Sequence, residues 1–193
     1  MPTTEPIRYK TQLNALADYF LRRLRFRDYV LIVLGASTAL RISDLLKLQW
    51  TDVYDFRCDS FKHHINMKES KTKKPKSIKI NKGALTALAL LFQHRKSDSP
   101  FIFSNGRKKD KPISRVHAWR LIKKAAEAVD VTGVISCHSL RKTWGYHAWT
   151  SFEISPVVIM RIFNHSSYEV TQRYLGLTQD EVDDAYDAVE LFA

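Results

Sequence analysis

"CHSLRKTWGYHAW", residues 137–149, decides how this chain is read. It reads as a helix, and a helix places positions i and i+3 on one face. His138 and Arg141 therefore stand side by side. The guanidinium offers forked donors to two phosphate oxygens, and the imidazole moves a proton near neutral pH. The segments around it are helical too. "SRVHAWRLIKKAAEAV" precedes it, "SPVVIMRIF" follows with Ser155–Pro156 as a helix start, and "TQDEVDDAYDAVELF" closes the chain as an amphipathic helix.

Toward the N-terminus, "KTQLNALADYFLRRL" sets Leu13, Leu16, Ala17, Phe20, Leu21 and Leu24 on one side. "RDYVLIVLGAS" is a more buried helix, "ALRISDLLKLQW" a short one with Ser43 or Thr38 as its cap, and "NKGALTALALLFQHR" another. Between them the period changes. "SFKHHINM" and "KSIKI" read as short strands joined by the lysine-rich turn "KESKTKKP". "PFIF" is a brief apolar segment before a polar loop, "SNGRKKDKP". The expected fold class is mainly α with a small antiparallel β-ribbon (α+β).

The 193 residues suit one domain and a core of useful size. Lys and Arg number 31 against 20 Asp and Glu, a net +11 that points to a polyanionic partner. The charge is uneven. Residues 1–173 hold all 31 cations and 14 of the 20 acids, a net +17, and the remainder is acidic. That tail is suited to folding back on a basic surface or docking on another subunit. Two cysteines, Cys58 and Cys137, with no CxxC pair, argue against a disulfide scaffold or zinc module. "MPTTEPIRYK" has no apolar signal region, and "YVLIVLGASTAL" is too short to span a bilayer. A cytoplasmic protein is expected.

Five features carry potential chemistry, and each has a plain alternative. Arg41 follows a buried helix; alone it reads as a surface arginine paired with Asp44 at i,i+3. The "ESKTKKPK" turn reads as solvated lysines, although a hairpin tip can push an ammonium into a DNA groove. His138-x-x-Arg141 is common by chance. His165 reads as a helix C-terminal cation, and Tyr174 as a rim aromatic.

The ordered set is far less common than its members. "TALRISDLLKLQWTDV", "HSLRKTWGYHA" and "FNHSSYEVTQRYLG" resemble the two arginine boxes and the tyrosine-bearing third box of the tyrosine recombinases, or phage integrase family. The resemblance runs from about Tyr9 to Leu177. It implies that family's catalytic-domain fold over 9–177, after a tail at 1–8 and before an acidic helix at 178–193 exchanged between protomers. Two departures are visible. The family usually has Gly where this chain has Ala39, and Leu-Gly where it has Phe163–Asn164. Asn tolerates the left-handed conformation that Gly would supply.

The resemblance implies DNA strand cleavage and rejoining, for integration, excision or inversion, with no cofactor and no metal. Arg41 and Arg141 would clamp the phosphate, and Tyr174 would attack it. A tyrosine hydroxyl with a pKa of about 10 needs a base and a positive field. His138 is the expected base and His165 a phosphate donor. Lys71, in "SKT", is the expected acid for the leaving 5′-oxygen, with Lys73 the alternative. Further DNA contacts are expected from Lys73, Lys74, Lys76, Arg107, Lys108, Lys109, Arg115 and Lys142. Double-stranded DNA is the expected partner, with a homotetramer on it through the C-terminal helix and accessory DNA-bending proteins. Only 35 residues precede Ala36, which leaves open a catalytic-domain piece or a naturally minimal enzyme. Type IB topoisomerase-like relaxation and a non-catalytic DNA-binding regulator are the competing readings. A basic RNA-binding module lacks a stacking motif to support it.

Overall fold

A computed structural model describes residues 4–95, 98–106 and 108–175, with Asp183, Asp187 and Ala188 singly beyond them. Helices α1 (Lys10–Leu21) and α2 (Phe26–Ser37) open the chain, followed by the short α3 (Ile42–Leu45) and α4 (Trp50–Val53). Three small antiparallel sheets come next: β1 (Tyr54–Asp55) with β2 (Ser60–Phe61), β3 (His64–Lys68) with β4 (Pro75–Lys79), and β5 (Ser104–Asn105) with β6 (Lys108–Pro112). Helix α5 (Lys82–Gln93) separates the second and third sheets. Helices α6 (Arg115–Ala128), α7 (Cys137–Thr150), α8 (Pro156–Phe163) and α9 (Tyr168–Leu175) complete the described chain.

The mainly helical class with antiparallel ribbons is as expected, but one ribbon becomes three. "SNGRKKDKP", read as a loop, is the β5–β6 hairpin. Its polar sequence lacks the apolar alternation that marks a strand. The expected caps of α3 also differ. Arg41 takes the N-cap position, and Thr38 donates its hydroxyl to Leu34 O instead. The acidic helix at 178–193, with its expected exchange between protomers, and Arg107 lie outside the described residues, apart from the three positions named above.

Helix starts elsewhere follow their capping chemistry. Asn81 accepts from the Ala84 amide, Ser114 from the His117 amide, and Ser136 from the His138 amide. Ser139 returns a bond to the Ser136 amide, completing a capping box for α7. Pro156 opens α8, where a missing N–H costs nothing.

Helix α7 lies between two apolar clusters. Its Leu140 belongs to the larger one, with Val30, Leu31 and Leu34 of α2; its Ala148 belongs to the smaller, with Ala39, Ile159, Phe163 and Leu175. Helices α2 and α7 approach closely at Gly35, where a Cβ would stand 2.5 Å from Leu140 Cδ1. The site described next sits where these clusters meet, roofed by the β3–β4 hairpin.

Candidate active site

The β3–β4 register fixes which side chains point inward. Ile65 faces Ile78 and Met67 faces Lys76. Strand side chains alternate, so the inward face continues from Ile65 and Met67 to Glu69, and from Ile80 and Ile78 to Lys76. Glu69 is fully buried, and the Lys76 side chain is only 8% exposed. The connecting loop turns tightly: the Lys73 amide donates to Glu69 O, the Glu69 amide to Lys74 O, and Lys73 takes a left-handed φ of 57°. Lys71, Lys73 and Lys74 on this loop are exposed.

Arg41 reaches this hairpin. Its Nη1 lies 2.9 Å from Glu69 Oε1. The surface pairing with Asp44 that the i,i+3 spacing allows is not formed; Asp44 is buried and accepts from the Ser70 amide instead. Lys76 Nζ stands 3.7 Å from the same Glu69 oxygen. Neither cation makes an aligned hydrogen bond there, and Arg141 Nε also lacks an acceptor. Three buried cationic donors are thus unsatisfied in one region, which is costly unless an anion joins them.

Arg141 is almost wholly buried. It donates through Nη1 to Ala39 O and through Nη2 to Phe163 O at 2.9 Å, and its guanidinium lies over the Phe163 ring. Both carbonyls are aimed by left-handed residues. Ala39 has φ 54°, and Asn164, which follows Phe163, has φ 53° and ψ 39°. These are the two positions where the chain departs from the expected glycines. Asn164 ends α8 in a Schellman arrangement, with its own amide donating to Arg161 O and that of His165 to Met160 O. Its side chain donates to Glu69 Oε2 at 3.0 Å.

His138 Nε2 lies 2.8 Å from Tyr174 Oη. The two rings meet edge to face, and Tyr174 also packs on Phe163 and His165. His165 pairs through Nδ1 with the buried Thr171 hydroxyl, which fixes its ring. Tyr168, by contrast, is exposed at the start of α9.

The electrostatics follow from burial among cations. Burial first, then Arg141, Lys142 and Arg41, holds His138 down to about 4. Burial, then Arg141 and Arg41, does the same to His165. Burial and the Arg141 charge bring Lys76 to about 8. Burial would raise the Glu69 carboxyl, but hydrogen bonds from Thr72 and Asn164 and the Arg41 guanidinium beside it prevail and hold it at about 2.

The structure therefore brings together Arg41, His138, Arg141, His165 and Tyr174, drawn from four separate segments. It leaves Lys71 and Lys73 on the exposed loop and sets Lys76, expected only as a DNA contact, beside the arginines. Lys142, also expected to meet DNA, is buried and donates to Thr4 O at 2.6 Å. Its position on α7 turns it toward the N-terminal segment. Arg115 is exposed at the start of α6, and Lys108 and Lys109 lie on β6. Glu69 is the site residue that sequence reasoning misses. Its phase with Ile65 and Met67 is the signal that could have found it.

The Phage integrase family profile matches residues 8–181. The probable integrase/recombinase YoeC of Bacillus subtilis is 36% identical over 186 residues, covering 96% of this chain and 97% of that protein. Tyrosine recombinase XerA of Pyrococcus furiosus is 26% identical over 168 residues, and the match spans 86% of this chain and 56% of XerA. Among solved structures, XerA recombinase superposes with a TM-score of 0.77 at 18% identity, over the whole chain and 68% of the other. XerH bound to a palindromic difH substrate, in a post-cleavage complex, superposes with a TM-score of 0.75 at 13% identity, covering 97% and 54%. The chain belongs to the phage integrase family, and its fold is that of a tyrosine recombinase catalytic domain.

Proposed function

We propose that this chain is a site-specific DNA recombinase that cleaves and rejoins strands through a phosphotyrosyl intermediate on Tyr174. The observation that carries this reading is the 2.8 Å contact between Tyr174 Oη and His138 Nε2, within a pocket of unsatisfied cationic donors. A tyrosine hydroxyl attacks only when something accepts its proton and a positive field favours the phenolate. His138, held neutral, is the acceptor.

In the forward step Tyr174 Oη forms a bond to phosphorus and its proton passes to His138. The bond from phosphorus to the 5′-oxygen breaks, and that oxygen leaves as a hydroxyl with a proton from a lysine. The 3′-phosphotyrosyl bond replaces one phosphodiester bond by another, so religation needs no ATP. Arg41 and Arg141 oppose the charge that grows on the non-bridging oxygens. His165 donates to one of them. Lys71 is the proposed acid, carried in by the hairpin loop when DNA binds; Lys76 is the alternative that already lies beside the arginines.

Double-stranded DNA is the proposed partner, in keeping with the net +11 charge. The XerH neighbour was solved on a difH substrate. The test is a suicide substrate whose cleaved 5′ end diffuses away, trapping any covalent adduct. The wild-type chain forms the adduct, and Tyr174→Phe does not. Adduct formation by Tyr174→Phe would overturn the assignment. Paired-site recombination, measured against supercoil relaxation, separates a recombinase from topoisomerase-like activity.

A further inference from the structure

Among the described residues, Glu69 is the fully buried carboxylate that touches the cationic pocket directly. Its two oxygens are used differently. Oε2 accepts two well-formed bonds, from the Thr72 hydroxyl at 2.7 Å and from Asn164 Nδ2 at 3.0 Å. Oε1 faces Arg41 and Lys76, neither in hydrogen-bond alignment. One half of the carboxylate is fastened, and the other serves as a loose counter-charge to two cations.

Each partner has a place in the site. Thr72 belongs to the lysine loop, Asn164 to the turn that aims Phe163 O at Arg141, and Arg41 to the first arginine box. A single carboxylate therefore joins three parts of the chain that sequence keeps far apart. Its backbone is fixed as well, by the two amide bonds that close the loop.

We propose that Glu69 is a positioning residue of this site: its carboxylate sets Arg41 and Lys76 for the phosphodiester and fastens the lysine hairpin to the third box through Asn164. The inference rests on the recombinase reading. Partial neutralisation lets two like charges lie close together. When the phosphate arrives, Arg41 and Lys76 turn their unsatisfied donors to it while Oε2 stays anchored.

Two substitutions separate the roles. Glu69→Gln keeps the shape and the anchor but removes the charge. Asn164→Gly keeps the left-handed turn but removes the amide. Single-turnover cleavage of the suicide substrate and duplex affinity are measured for the full chain. Glu69→Gln is expected to cut cleavage about 10- to 100-fold, the size carried by orienting partners at other charged centres. Duplex affinity should change less than about threefold, since distant phosphate contacts dominate it. The alkaline limb of the cleavage profile should move to lower pH, because Lys76 loses the charge that favours its ammonium form.

Cleavage by Glu69→Gln at the wild-type rate, or faster with tighter binding, would overturn the proposal and make Glu69 a mere occupant of the phosphate site. Should Glu69→Gln not fold, Asn164→Gly decides, with slower cleavage expected and an unchanged rate counting against the proposal. Should the wild-type chain form no adduct, the recombinase reading fails. NMR titration of Lys76, in the wild type and whichever of the two variants folds, then decides the positioning claim. A Lys76 pKa lower in Glu69→Gln, or shifted in Asn164→Gly as the loosened carboxylate moves, supports it, and an unchanged one refutes it.

Discussion

His138 Nε2 and Tyr174 Oη, 36 residues apart in sequence, stand 2.8 Å apart in space. The packing of α7 against α9 makes this pairing, so the fold itself assembles the nucleophile with its base. A base must be unprotonated to act. With its pKa held near 4 by burial and by Arg141, His138 is neutral throughout the physiological range. His138→Gln is expected to slow adduct formation by about 10² to 10⁴, the usual share of a general base. Protonation of His138 should not limit cleavage above about pH 5. A sharp loss near pH 6.5 in the wild type, absent from the variant, would contradict this.

Arg141 has a second task besides the phosphate. Removing it leaves the buried carbonyls of Ala39 and Phe163 without a donor. Arg141→Ala should therefore lose stability as well as activity, by about 2–4 kcal/mol. For a chain of this size that is a fall in Tm of roughly 5–15 °C. Arg41→Ala leaves no such carbonyls, so it should lose cleavage with a smaller shift in Tm. Equal melting of the two variants would count against the asymmetry.

Two lysines compete for the leaving-group acid. Lys71 matches the family resemblance but sits on an exposed loop. Lys76 lies in place, with a pKa near 8 that suits proton donation at neutral pH. A substrate with a 5′-bridging sulfur needs no acid at the leaving atom. It should rescue the variant of the true acid and no other. Rescue of Lys71→Ala alone assigns Lys71 and requires the loop to move inward on DNA. Rescue of Lys76→Ala alone moves the assignment.

The helices and the β3–β4 hairpin are legible in the sequence because their residues carry the period of their element. "KSIKI" sets Lys76, Ile78 and Ile80 on one face, and that alternation by itself turns Lys76 toward the core. Composition points elsewhere, to the loop tip, where the lysines are densest. The β5–β6 hairpin is illegible for a different reason. Its strands are polar, and pairing there depends on backbone bonds that side-chain pattern does not encode. His138, Arg141, His165 and Tyr174 can be named from the family resemblance of their boxes, but not their distances. Nor can sequence show that Ala39 and Asn164 serve one arginine, since that depends on two carbonyl directions.

Gly145 lies one turn beyond Arg141 on α7, facing the third box. A Cβ there would stand 2.9 Å from Phe163 Cζ and 3.0 Å from Cε2, with Tyr174 O at 3.4 Å. The Phe163 ring is fully buried and lies against Arg141, so it has little room to yield. Helix propensity favours alanine by about 1 kcal/mol. Overpacking costs about 1–3 kcal/mol and should prevail. Gly145→Ala is expected to melt below the wild type and to cleave more slowly, because Phe163 and Tyr174 are pushed together. A higher Tm with normal cleavage would show that the ring shifts freely.

Two acid-sensitive windows should appear in stability. His138 and His165 titrate near 4 in the fold against 6.5 when exposed. Between those values the unfolded chain binds more protons, so stability falls as pH drops from about 6.5 toward 4. Burial lowers His117 and His147 as well, which adds in the same direction. Glu69, near 2 in the fold against 4.5, protects stability above 4.5 and gives that up between 4.5 and 2. Tm measured from pH 8 to 3 should be nearly level to about 6.5, then decline in both windows. Replacing His138 and His165 together with Gln should flatten the upper window, and Glu69→Gln the lower one. An upper window unchanged in the double histidine variant would show that these two rings do not titrate as buried neutral groups.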